Sequence, residues 1–294
     1  MQSKDSKKLR KITGIKHSER KGEFTMDEKT QKKTTIFTIA NLVFYFLTLG
    51  VNYLGSSGFF NGMSQKDISD KYMTLISPAP FTFSIWGVIY SLLLITLIYL
   101  FAKRKDRNVS KLVMLISPLF IVSSVLNMGW IVAFSYELMG VSTLLILGML
   151  FSLLFIVERI YKNRFDFPST LAGLSFTLYG SWVFIATIVN ISVFLVQLEW
   201  DGFGISDSLW TMIVLGIAIA FVFFYLARFK NAAFPIPIAW AFFGIYSAYA
   251  SGGLDPAMAT AIQAVLLAGI GIFLIAVVWT FIKNGKALFP KYAG

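Results

Sequence analysis

Three apolar stretches carry residue types suited to holding a flat hydrophobic molecule. Asn127, Trp130 and Phe134 are separated by three and four residues, which places an amide and two large aromatics on one helical face. Trp182, Ala186 and Asn190 follow one another four apart, and the alanine leaves room between indole and amide. Trp86 and Tyr90, also four apart, come directly after the loop Ile76-Ser77-Pro78-Ala79-Pro80-Phe81-Thr82-Phe83. Such residues stack rings and donate or accept hydrogen bonds; they do not transfer protons near neutral pH. If the three faces converge, they line an apolar, flat-walled pocket with a few polar groups, the form a site for a planar hydrophobic ligand takes. The competing reading is ordinary core, since aromatic stripes at helical spacing arise without any ligand. Trp200, Trp210 and Trp279 suit an interfacial belt.

The residues that are missing narrow the chemistry further. There is no cysteine, and the only histidine, His17, lies in a polar N-terminal stretch. Disulfides, thiolate metal sites, histidine-ligated haem and an intramembrane histidine relay are therefore excluded. No Asp, Glu, Lys or Arg stands near the middle of an apolar stretch, which argues against proton- or ion-coupled pumping. No P-loop, paired acidic metal motif or Ser, His and acid set is present, so the reading leans away from an enzyme, with no cofactor or metal required. Asn41 and Gln263 read best as interhelical hydrogen-bonding residues.

The elements that position these faces follow from composition. Of 294 residues 56% are hydrophobic and 14% charged, with a mean hydropathy of +0.71, which rules out an ordinary soluble domain. The sequence predicts an all-α, polytopic membrane helical bundle of eight spans, roughly 35–54, 83–102, 112–135, 140–160, 170–197, 207–227, 232–250 and 257–282. With the N-terminal stretch placed inside and the spans alternating, 24 of the 26 Lys and Arg fall inside and only Lys66 and Lys71 outside. Both termini are thus expected in the cytoplasm of a cell-membrane, multi-pass protein. The net charge of +11 then labels topology, and nucleic acid is not implied.

Residues 1–34 read as a basic, disordered cytoplasmic tail; Met26 offers an alternative start of translation, and a tail touching anionic lipid is the other reading. The last three spans carry small residues, among them Gly244, Ser247, Ala257, Ala261, Ala264, Ala268, Gly269 and Gly271, and read as tightly packed structure.

Three segments resemble the tryptophan-rich sensory protein family, also called the translocator protein or TspO/MBR family. Pro78-Ala79-Pro80-Phe81-Thr82-Phe83-Ser84-Ile85-Trp86-Gly87-Val88-Ile89-Tyr90 is similar to the family's proline-rich loop leading into a W-x-x-L-Y helix. Leu126-Asn127-Met128-Gly129-Trp130 with Phe134 resembles L-N-x-x-W-x-x-x-F, and Trp182, Ala186 and Asn190 resemble W-x-x-x-A-x-x-x-N. The resemblance covers about 35–197 and implies a five-helix unit there, with 198–294 adding three helices. It implies binding of porphyrin or haem, or of sterol-like ligands, in a pocket closed by the first long loop, and a homodimer in many members. The residues implied are Pro78, Trp86, Tyr90, Asn127, Trp130, Phe134, Trp182, Ala186 and Asn190. Two departures stand out. Ala79 splits the prolines, and Phe81 or Phe83 takes the place of a loop tryptophan, which puts light-dependent porphyrin chemistry in doubt.

The leading expectation is a membrane binding or sensory protein for a tetrapyrrole-like ligand held between the first five spans, with residues 55–82 as a lid. The partners expected are that ligand and the lipid bilayer. A transporter using the same cavity is the alternative, and an accessory subunit that docks another membrane protein is the third reading.

Overall fold

Thr34, Thr38, Asn41, Tyr45, Thr48, Asn52 and Gly55 alternate at spacings of four and three, so all seven share one stripe of a helix. In the computed structural model, which describes residues 26–163, 166–250 and 256–290, that stripe is the inward face of α1 (Glu28–Ser56). Ile36, Val43, Phe46 and Leu47 on the opposite side are half exposed. The helix is thus polar inward and apolar outward, the arrangement a hydrocarbon surround favours. It begins N-terminal to the expected apolar span because Asp27 caps it, accepting a hydrogen bond from the Thr30 N–H at 2.9 Å.

The described residues form nine helices and no strand. After α1 come α2 (Gln65–Lys71), α3 (Ile85–Ala102), α4 (Arg107–Ser135), α5 (Met139–Lys162), α6 (Asp166–Gln197), α7 (Asp207–Phe229), α8 (Pro235–Ala250) and α9 (Pro256–Lys283). Short 3-10 segments lie at Pro80–Ser84 and Gly202–Gly204. Seven helical segments are long and apolar enough to cross a membrane. The exception among the eight expected spans is the seventh, seen as the 16-residue α8, about 24 Å long at 1.5 Å per residue. Asn231 sets its start by accepting the Ala233 N–H at 3.1 Å, and Pro235 opens the helix. Ile238, Ala241, Phe242 and Ile245 bury it among its neighbours. The tail expectation for residues 1–25, and Arg164 and Lys291 among the 24 basic residues expected inside, lie outside the described residues.

Five helices close a ring in the order α1, α4, α5, α6, α3, each packed on the next and α3 returning to α1. The register of α1 on α4 is fixed by pairs at a constant offset of 76 residues. Thr34 meets Ser110 (2.6 Å), and the Asn41 amide donates to Ser117 Oγ (2.8 Å). At the same offset Gly55 lies so close to Ile131 that a Cβ would stand 2.6 Å from its Cγ2. A constant difference means parallel helices, so the chain crosses the bundle and returns between them. Across the ring α3 and α6 run antiparallel, with Thr96 on Ser175 (2.6 Å) toward one end and Trp86 on Trp182 (6.1 Å between centroids) toward the other.

Outside the ring, α8 packs on α6, α9 on α8, and α7 on α9. The small-residue reading of the last helices holds at Gly244 and Gly269, where a Cβ would come within 2.7 Å of a neighbouring side chain. It does not hold for the alanine stripe: Ala261, Ala264 and Ala268 are exposed, and nothing lies within 4 Å of a Cβ at Gly271. The reason is that α9 packs through Ile262, Leu266, Gly269 and Phe273 instead.

The register gathers the basic residues. Arg159 donates to the Leu115 carbonyl (3.1 Å), and Asn284 to the Lys230 carbonyl (2.7 Å), bringing the C-terminal ends of α5, α7 and α9 to the end where α1 and α4 begin. Lys283 covers the ring of the exposed Trp279 at 4.8 Å. Lys66 and Lys71 lie at the opposite end with Glu137.

Candidate functional site

The segment between α1 and α3 lies over the end of the ring away from most basic residues. Ser64 and Asp67 cap α2 reciprocally, and Ile68 from that helix is fully buried against Phe134, Met139 and Val193. Glu137, at the α4–α5 turn, ties the segment down. Its carboxylate accepts from Lys71 Nζ and Tyr72 Oη, each at 2.6 Å, while Gln197 donates to its backbone carbonyl at 2.9 Å. The Lys71 ammonium and then the Tyr72 hydroxyl hold the Glu137 carboxyl below its ordinary value, and the carboxylate raises Lys71 in turn.

The far end of the same segment is held by α8. Tyr249 Oη donates to the Leu75 carbonyl (2.6 Å), the Ala79 N–H to the Gly244 carbonyl (3.0 Å), and Trp240 Nε1 to the Thr82 carbonyl (2.8 Å). Gly244 permits this approach: a Cβ there would overlap Thr82 Oγ1 and stand 2.6 Å from Cγ2. Pro78 is half-buried beside this contact. The two loop phenylalanines part company. Phe81 turns to Trp240 and Phe243, while Phe83 stands edge-on to Trp182, centroids 6.4 Å apart.

Inside the ring, Trp86 is the hub of an aromatic cluster. It stacks on Tyr90 (5.3 Å, planes 18° apart) and meets Tyr179 and Trp182 edge-on at 5.9 and 6.1 Å. Tyr45 packs on Tyr90 at 6.2 Å and donates to its backbone carbonyl at 2.8 Å. Below lies an amide pair. Asn52 donates to Asn127 Oδ1 (2.7 Å), and the Asn127 amide donates to Tyr179 Oη (3.1 Å) and approaches Met149 Sδ (3.4 Å). Trp182 Nε1, Tyr90 Oη and Thr48 Oγ1 are buried with no hydrogen-bond partner. Tyr90 Oη lies beside Asn127 and Tyr179 without a bond of normal geometry to either. Unpartnered buried polar atoms cost free energy, so they mark where a ligand atom would be welcomed.

Asn190 belongs to a second group, one to two turns along. Its Oδ1 accepts from Trp130 Nε1 (2.9 Å) and Ser142 Oγ (2.8 Å), and its amide donates to Thr143 Oγ1 (2.8 Å). Of the nine sequence-selected residues, Trp86, Tyr90, Asn127 and Trp182 share the central cluster, and Trp130 and Asn190 bond each other. Phe134 lies 6.3 Å from the Trp130 ring but forms part of the floor beneath α2. Ala186 is half-buried between Trp182 and Asn190 on α6, and Pro78 stands apart at α8.

Sequence reasoning missed Tyr45, Tyr179, Met149, Ser142 and Thr143, and left Asn52 unassigned. Tyr179 lies three residues before Trp182 and Tyr45 lies on the α1 stripe, so spacing alone could have found both.

The aromatic rings of the cluster touch one another. Two small hollows lie elsewhere: one of about 30 Å³ at the basic end, bordered by Tyr161, Asn231 and Phe289, and one of about 10 Å³ between Ile76, Ile185 and Phe242. None of the nine candidates lines either, and even the larger has room for only a few waters. Among the described residues no group of three or more His, Asp or Glu could hold a metal ion.

Comparison with curated proteins and with solved structures gives no match. The profile described as TSPO-like protein matches residues 38–279, reaching from α1 through most of α9 and thus well past the five spans that carry the motifs. On a match covering most of its length, this multi-pass membrane chain belongs to the TSPO-like protein family.

Proposed function

We propose that the protein binds a planar hydrophobic, tetrapyrrole-like ligand between α1, α3, α4, α5 and α6 of the ring, in a binding or sensory role without catalysis. The observation that carries this reading is the meeting of Trp86, Tyr90, Tyr179 and Trp182 from two helices, with Trp182 Nε1 and Tyr90 Oη buried and unpartnered. Flat ring faces supply stacking area, and the free indole N–H and phenol hydroxyl supply direction. The rings are in mutual contact, so a ligand enters by parting Phe83 and Trp86 from Trp182, with residues 55–82 lifting as a lid. The proposal includes eight crossings of the cell membrane with both termini cytoplasmic, α8 being the shortest crossing. The gathering of Lys and Arg at one end of the bundle supports that orientation.

The test is titration of the purified chain with protoporphyrin, followed by tryptophan quenching. Saturable quenching that weakens in Trp130→Phe or Trp182→Phe supports the reading; no quenching in the parent protein overturns the tetrapyrrole assignment. Unchanged affinity in both variants overturns the residue assignment. Flux of protoporphyrin across proteoliposomes separates a binder from a transporter using the same cavity.

A further inference from the structure

The three C-terminal helices contribute a feature that the aromatic cluster alone does not explain. Helix α8 reaches the loop at three successive points, Leu75, Ala79 and Thr82, through Tyr249, Gly244 and Trp240. Trp240 and Gly244 are four residues apart and share a face of α8, whereas Tyr249, five residues further on, reaches the segment from another side of the helix near its C-terminal end. The last point is next to the cluster in sequence. Thr82 faces α8, and the adjoining Phe83 faces Trp182, so the 3-10 turn Pro80–Ser84 joins the two like a short lever. Trp86 follows one turn later on α3, stacked on Tyr90 and edge-on to Trp182. The contact at Gly244 is so close that no other residue type fits without displacing Thr82, whose Oγ1 is buried and unpartnered.

We propose that Trp240, Gly244 and Tyr249 of α8 are positioning residues that set Phe83 and Trp86 against Trp182, so that α8, and not the loop alone, governs ligand access to the aromatic cluster. The proposal rests on the reading of that cluster as a ligand site. It predicts different consequences for the two anchors of the loop. Loosening α8 frees the turn that carries Phe83, whereas loosening the Lys71–Glu137 pair frees only the part around α2.

Because the chain has no cysteine, a single introduced thiol reports loop opening cleanly. Ile76 lies between the Leu75 and Ala79 contacts and is 5% exposed. In full-length Ile76→Cys protein in lipid nanodiscs, the rate of reaction with a soluble maleimide is measured alone and with Trp240→Phe, Gly244→Ala or Lys71→Gln. Trp240→Phe keeps an aromatic ring at the site but removes the indole N–H bond to Thr82 and part of the indole's volume, so about a tenfold faster reaction is expected, with Lys71→Gln within about twofold of the parent. The association rate of protoporphyrin, read from its own emission, is expected to rise in Trp240→Phe as well. Equal labelling in parent and Trp240→Phe, or equal acceleration by Lys71→Gln, overturns the α8 latch. Faster labelling with an unchanged association rate overturns its control of the site and leaves the ligand reading intact. Should the parent bind no protoporphyrin, the ligand reading fails while labelling still decides whether α8 holds the loop. If Gly244→Ala does not fold, Trp240→Phe carries the test.

Discussion

Trp130 on α4 donates its indole N–H to Asn190 on α6 at 2.9 Å, and the same amide also engages Ser142 and Thr143 of α5. One side chain therefore binds three helices of the ring. Asn190→Ala is expected to orphan the Trp130 and Ser142 donors and to destabilise the protein by about 2 kcal/mol, measured by reversible unfolding in detergent. A loss below the error of that measurement would show that these groups find other partners.

Two of the three candidate tryptophans, Trp130 and Trp182, differ in what their N–H groups do. Trp130 Nε1 is occupied, whereas Trp182 Nε1 is buried and free. Trp182→Phe therefore loses no hydrogen bond; it is expected to cost about 1 kcal/mol of packing at this buried position and to weaken protoporphyrin binding about tenfold. Trp130→Phe is expected to lower stability by about 1 kcal/mol with a smaller effect on affinity. Parallel titration and unfolding of both variants check the contrast, and the reverse ranking would move the ligand to the Asn190 group.

The lid carries a pH dependence of definite sign. Glu137 is held below its ordinary value of 4.5 by Lys71 and then Tyr72, so its contribution is complete above that value and is lost as pH falls through the lower folded value. Lys71 is raised from 10.5 by the same pair, so its contribution is present below 10.5 and is lost as pH rises through the raised value. Amide exchange at residues 65–72 should hence be flat, after correction for intrinsic rates, across neutral pH and faster at both extremes. Glu137→Gln should weaken the acid limb, leaving the part carried by Asp67, whose carboxyl the Ser64 cap also holds below its ordinary value. Because Lys71 is half exposed, added salt should loosen the same segment.

Two glycines on α1 make a paired test of the α1–α4 register. Nothing lies within 4 Å of a Cβ at Gly50, whereas at Gly55 it would meet Ile131 and Gln65 at 2.6 and 2.9 Å. Gly50→Ala is expected to be neutral or stabilising by up to about 1 kcal/mol, and Gly55→Ala to cost about 1 to 3 kcal/mol. Thermal unfolding of the two variants side by side gives the answer.

The bundle and its long helices were legible because hydrocarbon demands length and apolarity, and seven segments meet both. Helix α8 shows the limit of that rule. Walled in by α6 and α9, it is short, and the small residues of its sequence reported close packing without saying against what. Periodicity also identified faces but not neighbours. Nothing in the spacing of Asn127 or Trp182 shows that α3 closes the ring between α1 and α6, so Tyr45 and Tyr179 went unassigned although both lie on readable stripes. Asn127 and Asn190, similar in sequence setting, fall into separate groups because a turn or two of helix redirects an amide to different partners. The divergence of Phe81 and Phe83 was invisible, since it depends on a 3-10 turn pressed against a helix more than 150 residues away in sequence.

The inward polar stripe of α1 also bears on how the protein is made. The groups that satisfy Thr34 and Asn41 lie 76 residues further along the chain, on α4. At about 5–20 residues per second, α1 emerges from the ribosome roughly 4–15 s before its partner does. During that interval its threonines and asparagines have only lipid, their own backbone or a helper protein to turn to. Membrane integration of α1 is therefore a waiting step, ended when the serines of α4 arrive in register beside it.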